Sequence, residues 1–183
     1  MKFFEIKSYY MVTDIKEHEE IKEKLLYLIE IMPKSNTPVQ GWPETDWFVP
    51  AEHKREYLDY FYEIIRPYMD EMTKELKCMR WEIINGWFQA YNEKDNHPWH
   101  VHPFTNYTNV YYLNLPNNSI KTQIYDVVTN EIIDNIEVSE GQVLTLPAHI
   151  IHRSPENNDK EKKIIIAFNS NFDEVKYDKL EEK

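Results

Sequence analysis

One cysteine, three glycines, four arginines and no long apolar run are what this sequence has least of, and each scarcity excludes something. With Cys78 alone no intrachain disulfide can form, which suits a reducing compartment, and a cytoplasmic location is expected. A lone cysteine is also a poor basis for nucleophilic chemistry, and Cys78 reads as a small buried apolar residue. No apolar stretch reaches the roughly eighteen residues of a membrane-spanning helix. The opening MKFFEIKSYY is too short and too polar to read as a secretory signal. No Gly- or Ser-rich linker, repeat or low-complexity segment divides the 183 residues, so residues 1–183 are expected to form a single domain. Arginine is scarce beside 17 lysines, and the formal net charge is −11. That balance disfavours nucleic acid as a partner, because phosphates are held by clustered basic side chains.

What is present divides into helices first and strands afterwards. Residues 14–32 read as an amphipathic helix with Ile21, Leu25, Leu28 and Met32 at helical spacing, a capping box of Asp14 with Glu17, and Pro33 as its stop. A loop over 34–50 carries Trp42 and Trp47, which either pin it to the core or cover a pocket. A second helix is expected over 51–77, with Leu58, Phe61, Ile65, Tyr68, Met72 and Leu76 on one face and a kink at Pro67. From residue 80 the hydrophobic period changes to two. Trp81, Ile83, Asn85, Trp87, Gln89 and Tyr91 alternate with their neighbours, and further strands are predicted at 108–115, 119–128, 131–138, 142–147 and 163–169. The expected architecture is mainly β with flanking N-terminal helices: residues 1–79 packed on a jelly-roll barrel over 80–170, with 171–183 as a solvated tail.

Five of the seven histidines fall between positions 97 and 152. His18 and His53 sit on predicted helices and need no special account. His100 and His102 form an H-x-H in an extended segment, where residues i and i+2 point to the same side. About fifty residues on, Gly141, Pro147 and His152 mark a glycine turn, a strand end and a histidine on the next extended segment. Three histidines from two facing segments make a facial ligand set that leaves positions open on an octahedral metal. The plainer reading is that they are packing or surface residues. A structural zinc site lacks the paired cysteines that usually close one. His149 should face elsewhere, and His97 and Trp99 are placed beside an opening.

HPWHVHP, NVYYLNLP, EGQVLTLPAHIIHRSPEN and KKIIIAFN together resemble the 2-oxoglutarate/Fe(II)-dependent oxygenases, in particular the small bacterial and phage group. The resemblance covers roughly residues 81–170. It implies a double-stranded β-helix, cupin-like in outline, binding Fe(II) with 2-oxoglutarate as cosubstrate and oxidising a small-molecule or peptidyl substrate. By position His100 is the first iron ligand and His152 the distal one. His102 stands where most of the superfamily has Asp or Glu, which leaves the metal one charge more positive. The basic residue that would pair with the distal carboxylate of 2-oxoglutarate is Lys163, or Lys162 if the register differs by one. Alternation along the closing strand turns Lys163 inward if Ile164, Ile166 and Phe168 face the helices. As a point charge it lacks the fork of arginine. Tyr112 would donate to the same carboxylate, with Tyr111 in the core.

Two rivals stand beside this reading. A cupin-type metalloenzyme shares the fold, but its first motif carries a glutamate shortly after H-x-H, where this chain has Asn106 and Tyr107. A non-catalytic barrel that binds a ligand or partner would accommodate the His102 departure. Metal affinity is expected to fall as the pH drops through about 6, because imidazole must be neutral to bind.

Overall fold

The computed structural model describes residues 7–34, 40–117 and 120–175. In chain order these form β1 (Met11–Asp14), α1 (His18–Glu30), β2 (Glu44–Thr45), α2 (Glu56–Glu75), β3 (Cys78–Tyr91), β4 (His97–His100), β5 (Tyr107–Asn114), β6 (Gln123–Asp126), β7 (Glu131–Ile133), β8 (Gln142–Pro147), β9 (His152–Ser154) and β10 (Lys163–Val175). Two antiparallel sheets result, a six-stranded one in the order β1-β8-β5-β10-β3-β2 and a four-stranded one in the order β4-β9-β6-β7. They face each other as the expected double-stranded β-helix.

Alternation along the strands builds two cores. On β10, Ile164, Ile166 and Phe168 face the helices, where Ile166 and Phe168 pack with Phe88, Tyr111, Leu25, Phe61 and Ile65. Ile165 and Ala167 face the other sheet and pack with Trp87, Tyr91, Val110, Leu144 and Ile124. Each face is apolar enough to bury, so a slip of one residue would exchange the two cores.

Several elements depart from the sequence expectations. Asp14 belongs to β1 rather than to a capping box: its carboxylate accepts from Gln142 Nε2 at 2.5 Å, and α1 begins at His18 without a side-chain cap. The second helix starts at Glu56, not 51, because Arg55 is committed to Asp46 and to the carbonyl of Val49. It continues through Pro67. The strands expected over 119–128 and 131–138 shorten to β6 and β7. The closing strand runs to Val175, pairing Asn171, Phe172 and Asp173 with Glu82, Trp81 and Arg80. Residues 171–175 are therefore sheet and not tail. The rest of that tail (176–183), the first six residues, 35–39 of the expected loop and the turn at 118–119 lie outside the described residues.

His18 is not the incidental helix residue expected. It is buried, with Nδ1 2.7 Å from the Tyr111 hydroxyl and Nε2 3.4 Å from Glu140 Oε1. Glu140 also pairs with Lys22 and accepts from the backbone N–H of Leu115. This cluster ties α1 to the barrel. Gly141 has a φ of +81°, and a Cβ there would meet His18 Cγ at 2.9 Å.

Candidate metal centre and its two chambers

The three histidines converge by strand pairing. β4 and β9 run antiparallel with His100 directly opposite His152, the arrangement that brings side chains of two strands closest. His102 lies two residues past the end of β4, held by a hydrogen bond from its backbone N–H to the carbonyl of Ala148 at 3.0 Å. One ligand atom from each of His100, His102 and His152 lies within 4.8 Å of the others. Among the described residues this is the group of donors suited to a metal ion.

Backbone carbonyls set two of the tautomers. A carbonyl only accepts, so His152 Nδ1, 2.8 Å from Ile150 O, carries its proton, and so does His100 Nδ1, 2.7 Å from Pro98 O. The Nε2 lone pairs of both rings are thereby free for a cation, the usual support for ligating imidazoles. His97 Nδ1 approaches His100 Nδ1 at 3.1 Å and accepts from the same N–H. Burial drives the imidazoles toward neutrality, and their mutual repulsion adds to it: His97 and His152 fall to about 3 and His102 to about 4. His100 is lowered as well, through burial, with its bond to Pro98 acting against the fall. All four shifts favour the neutral, metal-binding form to a lower pH than the value of about 6 expected for ordinary imidazoles. Asn169 sits beside His102 and favours its proton, although Asn169 Oδ1 is enclosed without a hydrogen bond of good geometry. Three neutral imidazoles with neutral neighbours fit a divalent cation such as Fe(II).

Two cavities meet at these rings. The inner one, about 40 Å³, lies between the sheets and is lined by the three histidines, His97, Thr122, Ser154 and Lys163 among others. Lys163 is 1% exposed and donates to Ile120 O and Ser154 Oγ, both at 2.7 Å, with the Tyr91 ring 4.8 Å away. No carboxylate pairs with it among the described residues, and burial lowers its pKa from 10.5 to about 7. Lys162 points outward and pairs with Glu44 at 3.3 Å. Tyr112 is fully buried beside this chamber, but Thr122 takes its hydroxyl, at 2.7 Å through Oγ1 and 3.1 Å through the backbone N–H. Thr122, not Tyr112, reaches the chamber wall. Tyr111 lies in the helix-side core, as expected.

The outer cavity, about 430 Å³, opens from His97, His100 and His102 and is walled by Trp42, Trp47 and Trp87. Trp47 packs edge-on against Trp87 at 4.5 Å, and Trp42 leans on His97 at 5.3 Å. The tryptophans of the 34–50 loop therefore cover a pocket as well as anchoring the loop. Trp99 is turned away, stacking under Arg153 at 4.4 Å and against Tyr125. His149 and His53 are exposed and outside the cluster, and His53 precedes α2 instead of lying on it. Sequence reasoning missed Ser154, Thr122, Gln89 and Asn169. Alternation from His152 to Ser154, from Trp87 to Gln89 and from Lys163 to Asn169 pointed to three of them.

The fold is that of the 2-oxoglutarate/Fe(II) oxygenases. HygX from Streptomyces hygroscopicus, solved with nickel and 2-oxoglutarate bound, matches with a TM-score of 0.64 at 10% identity over 90% of this chain and 83% of its own. A prolyl hydroxylase from Trichoplax adhaerens, in complex with a hypoxia inducible factor peptide, matches with a TM-score of 0.62 at 14% identity over 90% and 83%. The viral collagen prolyl hydroxylase of Paramecium Bursaria Chlorella virus-1 gives 0.58 at 16% identity over 93% and 98%. No family model matches the sequence, and no curated protein does. No helix among the described residues is long and apolar enough to cross a membrane.

Proposed function

We propose that the chain is an Fe(II)- and 2-oxoglutarate-dependent oxygenase acting on a small-molecule or peptidyl substrate. The observation that carries the proposal is a shared chamber: the three-histidine cluster and a buried lysine without a carboxylate partner line one space between the sheets. Burying an ammonium without an anion is costly, and a dicarboxylic cosubstrate supplies the anion. HygX and its bound 2-oxoglutarate support the reading by shared fold.

In this proposal His100, His102 and His152 hold the metal, and their carbonyl-anchored tautomers keep the lone pairs aimed at it. Lys163 exchanges its bonds to Ile120 O and Ser154 Oγ for the distal carboxylate, with Thr122 and Ser154 as neutral hydrogen-bonding partners. Tyr112 acts through Thr122, which it positions. Val110, Ile165 and Ala167 exclude water from the inner chamber. Bound iron and 2-oxoglutarate together supply, with O₂, the power to oxidise a substrate C–H bond. The chain's remaining task is to present that bond from the outer cavity, at the His97–His102 end.

The test is anaerobic titration of the apo-protein with Fe(II) and then 2-oxoglutarate, following the visible charge-transfer band of the chelate. The band is expected in the wild type and in Lys162→Ala, and is expected to be lost in Lys163→Met. Iron binding without a band at millimolar 2-oxoglutarate would overturn the proposal in favour of a cupin-type or non-catalytic barrel.

A further inference from the structure

Among the described residues 17 line the outer cavity, and none of them is Asp, Glu, Lys or Arg. In a chain that is 29% charged, about five would fall there at random. The nearby cations belong elsewhere. Lys163 and Arg153 line the inner chamber, where Arg153 is engaged by Gln123 and Trp99. A free amino acid or a phosphorylated ligand would enter with its charge unpaired, at a desolvation cost the cavity does nothing to offset.

What the cavity offers is aromatic faces and neutral amides. Asn85, Trp87 and Gln89 are alternate residues of β3 and line the cavity together. Gln89 Oε1 accepts from the Tyr91 hydroxyl at 2.8 Å, and Asn85 Oδ1 accepts from Asn169 Nδ2 at 2.9 Å. Both amide N–H₂ groups therefore remain as donors without a partner among the described residues. They flank the Trp87 indole, each one alternation step, roughly 7 Å, along the strand. Trp47, 49% exposed, and Trp42 complete the aromatic wall. A volume of about 430 Å³ falls in the range that encloses a whole small ligand.

We infer that the prime substrate is a free, uncharged, ring-bearing small molecule that stacks on the tryptophans and presents neutral oxygen acceptors to Asn85 and Gln89. The inference rests on the oxygenase reading in calling this ligand a substrate. Three probes with one ring and different charge decide it: indole-3-acetamide, indole-3-acetate and tryptamine. Each is titrated by anaerobic calorimetry into the Fe(II)- and 2-oxoglutarate-loaded protein, beside the capped peptide acetyl-Gly-Trp-Gly-amide. The amide is expected to bind at least tenfold more tightly than either charged probe and than the peptide. Trp47→Ala should weaken it about tenfold. Asn85→Asp, at an exposed position, should weaken the amide and improve tryptamine. Failure of the charge-transfer band to form before any indole is added would sink the oxygenase reading and this inference with it. With the band present, equal or tighter binding of a charged probe, tighter binding of the peptide, or no binding of any probe would overturn the substrate class alone.

Discussion

Replacing Lys163 with methionine should stabilise the apo-protein at neutral pH while removing 2-oxoglutarate binding. Burial brings the Lys163 pKa from 10.5 to about 7, and that drop corresponds to roughly 5 kcal/mol. The sign follows from proton binding: between about pH 7 and 10.5 the unfolded chain holds the lysine proton and the folded one does not. This contribution is therefore fully present above pH 10.5 and is lost as the pH falls toward 7. Methionine has no charge to desolvate, but it leaves Ile120 O and Ser154 Oγ without their donor, a cost of about 1–3 kcal/mol for each buried acceptor. With each acceptor at the middle of that range, the two effects leave Lys163→Met ahead by about 1 kcal/mol at pH 7. Between pH 7 and pH 9 the electrostatic cost in the wild type shrinks by roughly 2 kcal/mol, so the advantage should vanish or reverse. In a protein of this size that swing is about 4–8 °C in the difference between the two melting temperatures. Thermal melts of both proteins at pH 7, 8 and 9, without metal, provide the measurement. Saturating 2-oxoglutarate, added to both proteins already loaded with Fe(II), should raise the melting temperature of the wild type alone. A stability difference that stays constant from pH 7 to 9 would refute the reasoning, because Lys163 would then keep its proton throughout.

Metal binding should weaken between pH 7 and 5.5 much less than the roughly 600-fold loss that three imidazoles of ordinary pKa would show, because the pKa of each ligand is lowered; equilibrium dialysis at the two pH values distinguishes these. The same lowered histidine values mean that protons bind the unfolded chain first below about 6.5, so apo-protein stability should decline from there toward pH 4 in urea titrations, less so in His97→Gln. Asp46 is 0% exposed and accepts from Arg55 Nε, the Tyr57 hydroxyl and the Phe88 N–H. Asp46→Ala should cost about 3–5 kcal/mol by leaving a cation and two donors unmatched, measurable by urea denaturation; a loss below 1 kcal/mol would show that the Trp42–Trp47 wall is anchored otherwise. Gly141→Ala forces a side chain into a left-handed backbone and against His18, and should destabilise by about 2–4 kcal/mol in the same assay.

The parts of the site legible in the sequence are those governed by alternation. Lys163 was assigned to the interior because Ile164, Ile166 and Phe168 had to meet the helices, and the two cores divide along that line. Tyr111 and Tyr112 separate for the same reason. The H-x-H pair and the proline-led histidine were readable as a ligand set because their spacing belongs to extended segments. The pairing that unites them was not: His100 faces His152 across a ladder joining segments fifty residues apart, and the four-residue β4 and three-residue β9 carry no hydrophobic period of their own. β1 and β2 were missed on the same ground, since four and two residues at a sheet edge give propensity nothing to sum.

The lowered histidine values were not legible in the sequence for a related reason. A histidine's proton affinity depends on how deeply its neighbours bury it, and four imidazoles drawn together from β4, its trailing segment and β9 repel one another's protons. His18 shows the converse. On its predicted helix it needed no special account, yet its burial against Tyr111 and Glu140 ties α1 to the barrel. Residue type and spacing thus pointed to side chains that the fold gathers around one inner chamber, because alternation puts them on one face of an extended segment. The outer cavity demands no such register. It is assembled from residues of the 42–48 segment, of β3, of β4 and the segment after it, and one residue of β10. Its neutrality is a property of that assembly, and no single stretch of this acidic chain announces it.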